Sequence, residues 1–309
     1  MRKIIAYTLA LLPFFASAEQ NIGLADLKHP VKACLYKIEG KTLQTPSYLF
    51  GTIHLADPRV VNLHPKAESA FLDSDIFYSE IDLDLAAQLK IAPLIMRKDG
   101  KKLTEAIGPE LADKLNVTLK NINPALSLTP FESLKTWVIA VTLPLLENQL
   151  MAKKPLDTIL YQRAIDQKKK TAALETADSQ VQVFDQFNEQ EQQMLLLDAI
   201  NLMAAEQNLE ITSVERLLNV YLTGSTNEIA NLMTTEMKKM NTDPALTKRL
   251  MKALLDDRNV EMANKADQFM HADPGKCHFF AVGAAHYTGK LAVQDLLKKK
   301  GYTITPLFD

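Results

Sequence analysis

"HFFAVGAAHYTG", residues 278–289, decides how the rest of the chain reads. The apolar run Phe279 to Val282 shows no polar alternation, reaches Gly283, passes two alanines and delivers His286. Such a run reads as a buried strand ending in a glycine and a histidine. The same grammar stands near the other end of the chain. "YLFGTIHLADP" (48–58) runs through Gly51 to His54. A glycine three residues ahead of each histidine lets backbone or ligand approach closely.

Working outward, "CLYKIEG" (34–40) alternates and is closed by Gly40, and with "SYLFGTI" (47–53) it reads as a hairpin. "HPKAESAFLDS" (64–74) reads as a helix with Pro65 in its first turn and Ala67, Ala70 and Phe71 on one face. "DIFYSEIDL" (75–83) is a strand ending in Glu80 and Asp82. From about 84 to 270 the periodicity is helical. Leu196, Ala199, Ile200 and Met203 form one apolar stripe and Met233, Met237 and Met240 another, which is soft core packing. One strand, "KTAALET" (170–176), interrupts this region and ends in Glu175. "GKLAVQDLLKKKG" (289–301) is a helix with a glycine stop, and "YTITPLF" (302–308) a last strand. The expected fold is α/β: a mixed sheet from about 33–83, 170–176 and 277–308, carrying a large helical insertion at about 84–270.

Four strand ends then share a feature: His54, Glu80 with Asp82, Glu175 and His286. In α/β sheets, ligand sites gather beyond the carboxyl ends of the strands. Two imidazoles with carboxylates suit a divalent ion such as zinc, manganese or cobalt. Such an ion acidifies water, and a spare carboxylate serves as general base. His29 and His64 each precede a proline, and His271 falls in a polar turn, so surface loops are expected for all three; His278 opens a strand, far from His286. No helical His-Glu-x-x-His pair, Gly-x-Ser-x-Gly elbow or phosphate-cradling glycine loop occurs.

Composition narrows the rest. "MRKIIAYTLALLPFFASAEQ" has basic residues, an apolar run from Ile4 to Phe15 and then Ala16-Ser17-Ala18, the pattern of a secretory signal cut after Ala18. The run is short for a membrane anchor, which needs about 20 apolar residues. Residues 19–309 then form a single domain, periplasmic or secreted, with no membrane span. The net charge of −2 and the scattering of basic clusters (97–102, 168–170, 298–300) argue against nucleic acid as partner. Cys34 lies opposite the end of the second hairpin strand, whereas Cys277 opens the strand whose far end carries His286. Six residues of strand span about 20 Å, and bridged cysteines need Cα atoms within about 7 Å. No Cys34–Cys277 disulfide is expected.

"YLFGTIHLADPRV", "SDIFYSEIDLD", "ALET", "DDRNVEMANKAD" and "FFAVGAAHYTGKLAVQDLLKKKGYTI" resemble the TraB/GumN family, over roughly residues 33–308. That family is grouped with the TIKI metalloproteases and, more distantly, with erythromycin esterase and ChaN-type haem-binding proteins. The resemblance implies a mixed α/β core with a helical insertion and a metal-dependent hydrolytic site. By position it implies His54, His286 and Glu80, with Glu175 in "LET" and Arg258 in "DRN", an arginine suited to holding a carboxylate. Asp157 also matches a family position, but its setting in "PLDTIL" reads first as a helix N-cap. Tyr287 stands where relatives often carry an apolar residue.

The function expected is hydrolysis of an amide or peptide bond. His54, His286 and one carboxylate hold the metal; the other carboxylate, Glu80 or Glu175, takes a proton from water, and Arg258 positions it or stabilises charge. The substrate is a peptide or small amide. Two alternatives dispense with catalysis: a protein that binds haem, metal or a peptide at the same site, and an interaction protein whose helical body binds a peptide partner while the site residues are vestigial.

Overall fold

The computed structural model describes residues 29–30, 32–150, 154–207, 209, 211–238 and 243–308. The leader at 1–18 and Met240 of the methionine stripe lie outside them. Six strands form one sheet: β1 Leu35–Glu39, β2 Ser47–Thr52, β3 Ile76–Ser79, β4 Lys170–Ala173, β5 His278–Gly283 and β6 Thr303–Pro306, in the order β4-β3-β5-β2-β1-β6. β4, β3, β5 and β2 are mutually parallel, and β1 runs antiparallel to both β2 and β6. The sheet is therefore mixed, and its strands come from both ends of the chain plus the 170s, as the sequence suggests.

β5 is the centre. All six of its residues are buried, which is why its run is uniformly apolar rather than alternating. Phe279 and Ala281 join the larger core with Phe50, Phe71 and Phe77, while Phe280 and Val282 join a second core with Leu49, Tyr78, Met262 and Ala266. The β1–β2 hairpin pairs Leu35 with Phe50 and Ile38 with Ser47. Its turn starts at Gly40, whose φ of +88° is a left-handed conformation that favours glycine.

Helices fill the spaces between strands: α1 Pro65–Asp73, α2 Thr136–Thr142, α3 Leu156–Asp166, α4 Ala177–Asp185, α5 Glu189–Glu206, α6 Thr226–Met237, α7 Asp257–Ala272 and α8 Val293–Lys299. α1 buries Ala67, Ala70 and Phe71, the face read from the sequence. Its N-cap is His64, whose Nδ1 accepts from the Lys66 amide at 3.1 Å, so this histidine belongs to a helix end rather than a plain loop. His271 likewise sits in the last turn of α7, not in a turn. α5 packs on α2 and buries Leu196, Ala199, Ile200 and Met203. α8 begins at Val293, later than its sequence pattern, because residues 289–292 form a turn around Gly289 at φ +79°. No helix among the described residues is long and apolar enough to cross a membrane.

The parallel strands β2, β3, β4 and β5 present their carboxyl ends on one edge. His54 lies two residues past β2, Glu80 one past β3, Glu175 two past β4 and His286 three past β5.

Candidate functional site

The chain leaving β2 reaches His54 just where α3 begins. The Leu156 amide donates to the Leu55 carbonyl at 3.2 Å and docks the helix there. Asp157, in the first turn of α3, is buried, with Oδ2 2.7 Å from His54 Nδ1 and Oδ1 accepting from Thr52 Oγ1 at 2.5 Å. The N-cap position belongs to Pro155, so the capping role expected for Asp157 is wrong; its carboxylate holds the histidine instead. Burial opposes charge on His54, but the charge and hydrogen bond of Asp157, with the charge of Glu80, outweigh it and raise the imidazole to about 9. Burial likewise pushes Asp157 up, and the His54 charge and hydrogen bond bring it below its ordinary value.

At the second motif the chain turns from β5 into a short 3-10 turn, Ala284–Tyr287, carrying His286. His286 is wholly buried and its Nδ1 lies 2.5 Å from Asn259 Oδ1. An amide oxygen can only accept, so Nδ1 carries the hydrogen and Nε2 the lone pair. Burial, then the nearby Arg258 cation, push His286 well below the ordinary histidine value. The two histidines thus face opposite pressures a few ångströms apart.

Glu80 stands between them. Its Oε1 is 3.8 Å from His54 Nε2 and 3.7 Å from His286 Nε2, and accepts the Gly283 amide at 2.7 Å. Its Oε2 accepts from Arg258 Nη2 at 2.7 Å and Gln180 Nε2 at 3.1 Å. Arg258 also forks onto Glu175, with Nε 2.9 Å from Oε1 and Nη2 2.6 Å from Oε2. These charged side chains and both imidazoles are all 5% exposed or less. Both Nε2 atoms are buried without a hydrogen-bond partner, as are Gln180 Oε1 and Asn259 Nδ2.

Arg258 and Asn259 are neighbours that both reach the site, and the helix explains how. Residues Lys252–Asp256 form a π-helical turn directly ahead of α7. Such turns shift the helical register locally and recur at functional sites. Here the Leu254 carbonyl takes Arg258 Nη1 at 3.2 Å.

The structure therefore brings together His54, His286 and Glu80, with Arg258 and Glu175 adjoining through Glu80. Asp82 is exposed and outside the cluster. Gly51 makes room for protein rather than ligand, because a Cβ there would stand 2.7 Å from Cys34 Cβ and 3.1 Å from Ala284 Cβ. Both cysteines are buried and free, as their places on the sheet imply. Asn259 and Gln180 were not legible as site residues, although Asn259 lies beside Arg258 in "DRN". Among the described residues no group of three or more His, Cys, Asp or Glu side chains is closed into a metal-holding cluster. On its outer side the site meets a groove of about 370 Å³, lined by Glu175, Thr176, Ser179, Gln182, Arg258 and Glu261 among others.

The family model for TraB/PrgY/gumN matches residues 34–306. The chain belongs to the TraB/PrgY/gumN family. Among curated members it is similar to metalloprotease TIKI1 of Danio rerio, 25% identical, covering 84% of this chain and 60% of that protein. Metalloprotease TIKI1 of Homo sapiens is 24% identical over 96% of this chain and 67% of its own length. The metalloprotease TIKI homolog of Nematostella vectensis is 21% identical over 98% and 76%. The chain thus spans about three fifths of the length of the zebrafish relative. No solved structure matches. Both Gly-x-x-His strand ends fall within the matched residues.

Proposed function

We propose that this protein is an exported metal-dependent hydrolase of amide or peptide bonds, with His54, His286 and Glu80 holding a divalent ion. The observation that carries the reading is the pair of unpartnered Nε2 atoms, each facing Glu80 Oε1 at 3.7–3.8 Å. Buried polar atoms are otherwise satisfied almost everywhere in folded proteins. Each imidazole is gripped at Nδ1, by Asp157 or Asn259, which is how metal-binding histidines are oriented. The donor set suits zinc, manganese or cobalt. When bound, such an ion supplies Lewis-acid activation of water and of the substrate carbonyl.

The chain's own residues do the remainder. Arg258 and Gln180 occupy Glu80 Oε2, which leaves Oε1 turned toward the histidines. Glu175 lines the groove, and among the described residues its Oε1 accepts only from Arg258 Nε. Glu175 Oε1 is thus the atom placed to take a proton, and Arg258 the cation that holds it and steadies developing negative charge. Glu80 lies within 3.8 Å of both imidazoles and is anchored by the Gly283 amide, which favours a small ion over a macrocycle between them. The relatives named metalloproteases support the reaction class, and the leader pattern at 1–18 supports export.

Equilibrium dialysis against zinc, manganese and cobalt, with metal analysis, tests the proposal. About one tightly bound ion per chain is expected, lost in His54→Ala and in His286→Ala with the circular dichroism unchanged. Wild type that binds none, or a double variant that binds as wild type does, would overturn it.

A further inference from the structure

The helix Leu85–Ile95 comes shortly after β3 and packs on α4. Its sequence, "LAAQLKIAPLI", holds a single charge, Lys90. Ile91 and Ile95 are buried and fix the side that faces the protein. On the other side Leu85 is 70% exposed and Leu89 67%, with Ala92, Pro93 and the C-cap Met96 exposed in line with them. Their spacing from Leu85 (four, seven, eight and eleven residues) makes these five a single apolar stripe. Exposed leucines scattered singly need no explanation, but a continuous stripe marks a surface that something else covers.

Charge identifies the cover. Directly beyond Met96 comes the basic turn "RKDGKK" (97–102), with Gly100 at φ +75°. Arg97 is held by Asp99 and Glu189, while Lys98, Lys101 and Lys102 are exposed and unpaired among the described residues. Residues 90–105 carry five basic side chains against two acidic ones, in a chain of net charge −2. At the far end Asp84 caps the Ala87 amide at 2.6 Å, and Asp82 lies near Lys90. We propose that this helix and the basic turn after it form a docking surface for a bilayer with anionic headgroups. Such a bilayer satisfies both halves of the surface, the stripe by its acyl chains and the lysines by its phosphates. A helix of eleven residues reaches about 16 Å, half of a hydrocarbon core of about 30 Å, so it lies in the headgroup layer and does not cross. The proposal holds whatever chemistry His54 and His286 perform.

The probes are vesicles of phosphatidylcholine alone and vesicles with about 30% phosphatidylglycerol. They are mixed with the chain lacking 1–18, because that leader's apolar run would itself enter a bilayer. Flotation reads binding. Wild type is expected to bind the anionic vesicles at least about tenfold tighter than the neutral ones. Lys98→Gln/Lys101→Gln/Lys102→Gln removes that preference, and Leu85→Ser/Leu89→Ser weakens anionic binding at least about tenfold with circular dichroism unchanged. A second readout does not rest on the paired leucine variant. Leu89→Cys, labelled with an environment-sensitive fluorophore while the native thiols stay buried, shifts to the blue on anionic vesicles. Wild type that floats with neither vesicle, binding unaffected by the leucine changes, or a label that does not shift would overturn the proposal. So would a lipid-free dimer in sedimentation that Leu85→Ser/Leu89→Ser dissociates, since the stripe would then be an interface between copies.

Discussion

Replacing Asp157 with asparagine separates the electrostatic role of this carboxylate from its shape. In the metal-free protein the pair with Asp157 helps hold His54 protonated, up to about pH 9 against an ordinary 6.5. A folded value raised above the unfolded one contributes stability that is whole below about pH 6.5 and lost as pH rises through 9. The difference amounts to about 3 kcal/mol. In Asp157→Asn the new amide would keep an acceptor for one of the two donors now bound by Asp157, His54 Nδ1 and Thr52 Oγ1, but the charge would be gone. Burial then dominates, and His54 should titrate below its ordinary 6.5. Labelled-histidine NMR of metal-free protein between about pH 5 and 10 reads this directly, and urea unfolding at about pH 6 and pH 9 reads the linked stability. Wild type should lose about 3 kcal/mol across that range, and Asp157→Asn far less. If the His54 resonances titrate at the same midpoint in both proteins, Asp157 does not set the protonation state and the account of the site fails.

Further outcomes follow from the same geometry. Because a metal must displace the proton on His54, zinc binding at about pH 7.5 should release about one proton, measured by calorimetry in buffers of different ionisation enthalpy; no buffer dependence would contradict this. Gly51→Ala forces a Cβ to within 2.7 Å of Cys34 Cβ and should cost about 1–3 kcal/mol in urea unfolding, recovered in part by adding Cys34→Gly; a neutral substitution would show the contact yields freely. Burial lowers His278, which is held neutral between Tyr78 Oη at 2.9 Å and the Asp273 carbonyl at 3.0 Å. Its contribution is complete above about pH 6.5 and declines as pH falls through the folded value, so His278→Gln should flatten the acid limb of the stability curve. Both thiols, which burial pushes up to about 12, should resist alkylation until unfolding and then react as two free groups per chain.

His54, Glu80, Glu175 and His286 were legible because strand ends are local signals: an apolar run stops, and the next polar residues must lie on the sheet edge. The apolar run at β5 was legible as a strand for the same reason, but its central place was not, because strand order is set by tertiary pairing. Asp157 misleads because an acid close to a proline at the start of a helical pattern looks like a cap. The helix in fact starts two residues earlier than that reading requires, with Pro155 outside it, and turns the carboxylate inward. Asn259 and Gln180 were hidden because which face of a helix meets the sheet edge depends on tertiary packing. For Asn259 it depends also on a π-helical turn that leaves no compositional trace. Gly51 suggests ligand approach in the sequence because a missing side chain does not say what fills its space. The neighbours are Cys34, just ahead of β1, and Ala284, just past β5.

The pairing of β2 with β5 joins segments that lie at opposite ends of the sequence, with β3 and β4 drawn from between them. Contacts this distant along the chain form late and slow the folding of a sheet. A polypeptide that has emerged only as far as α7 has His54, Glu80 and Arg258 but no His286, and so has just half of the imidazole pair. The cluster of His54, Glu80 and His286 is thereby incomplete until β5 has taken its place between β2 and β3. On the hydrolase proposal, a centre distributed in this way stays silent in any incomplete or unthreaded chain, and a single cut that releases β5 would disarm it without touching the side chains contributed by the rest of the sheet edge.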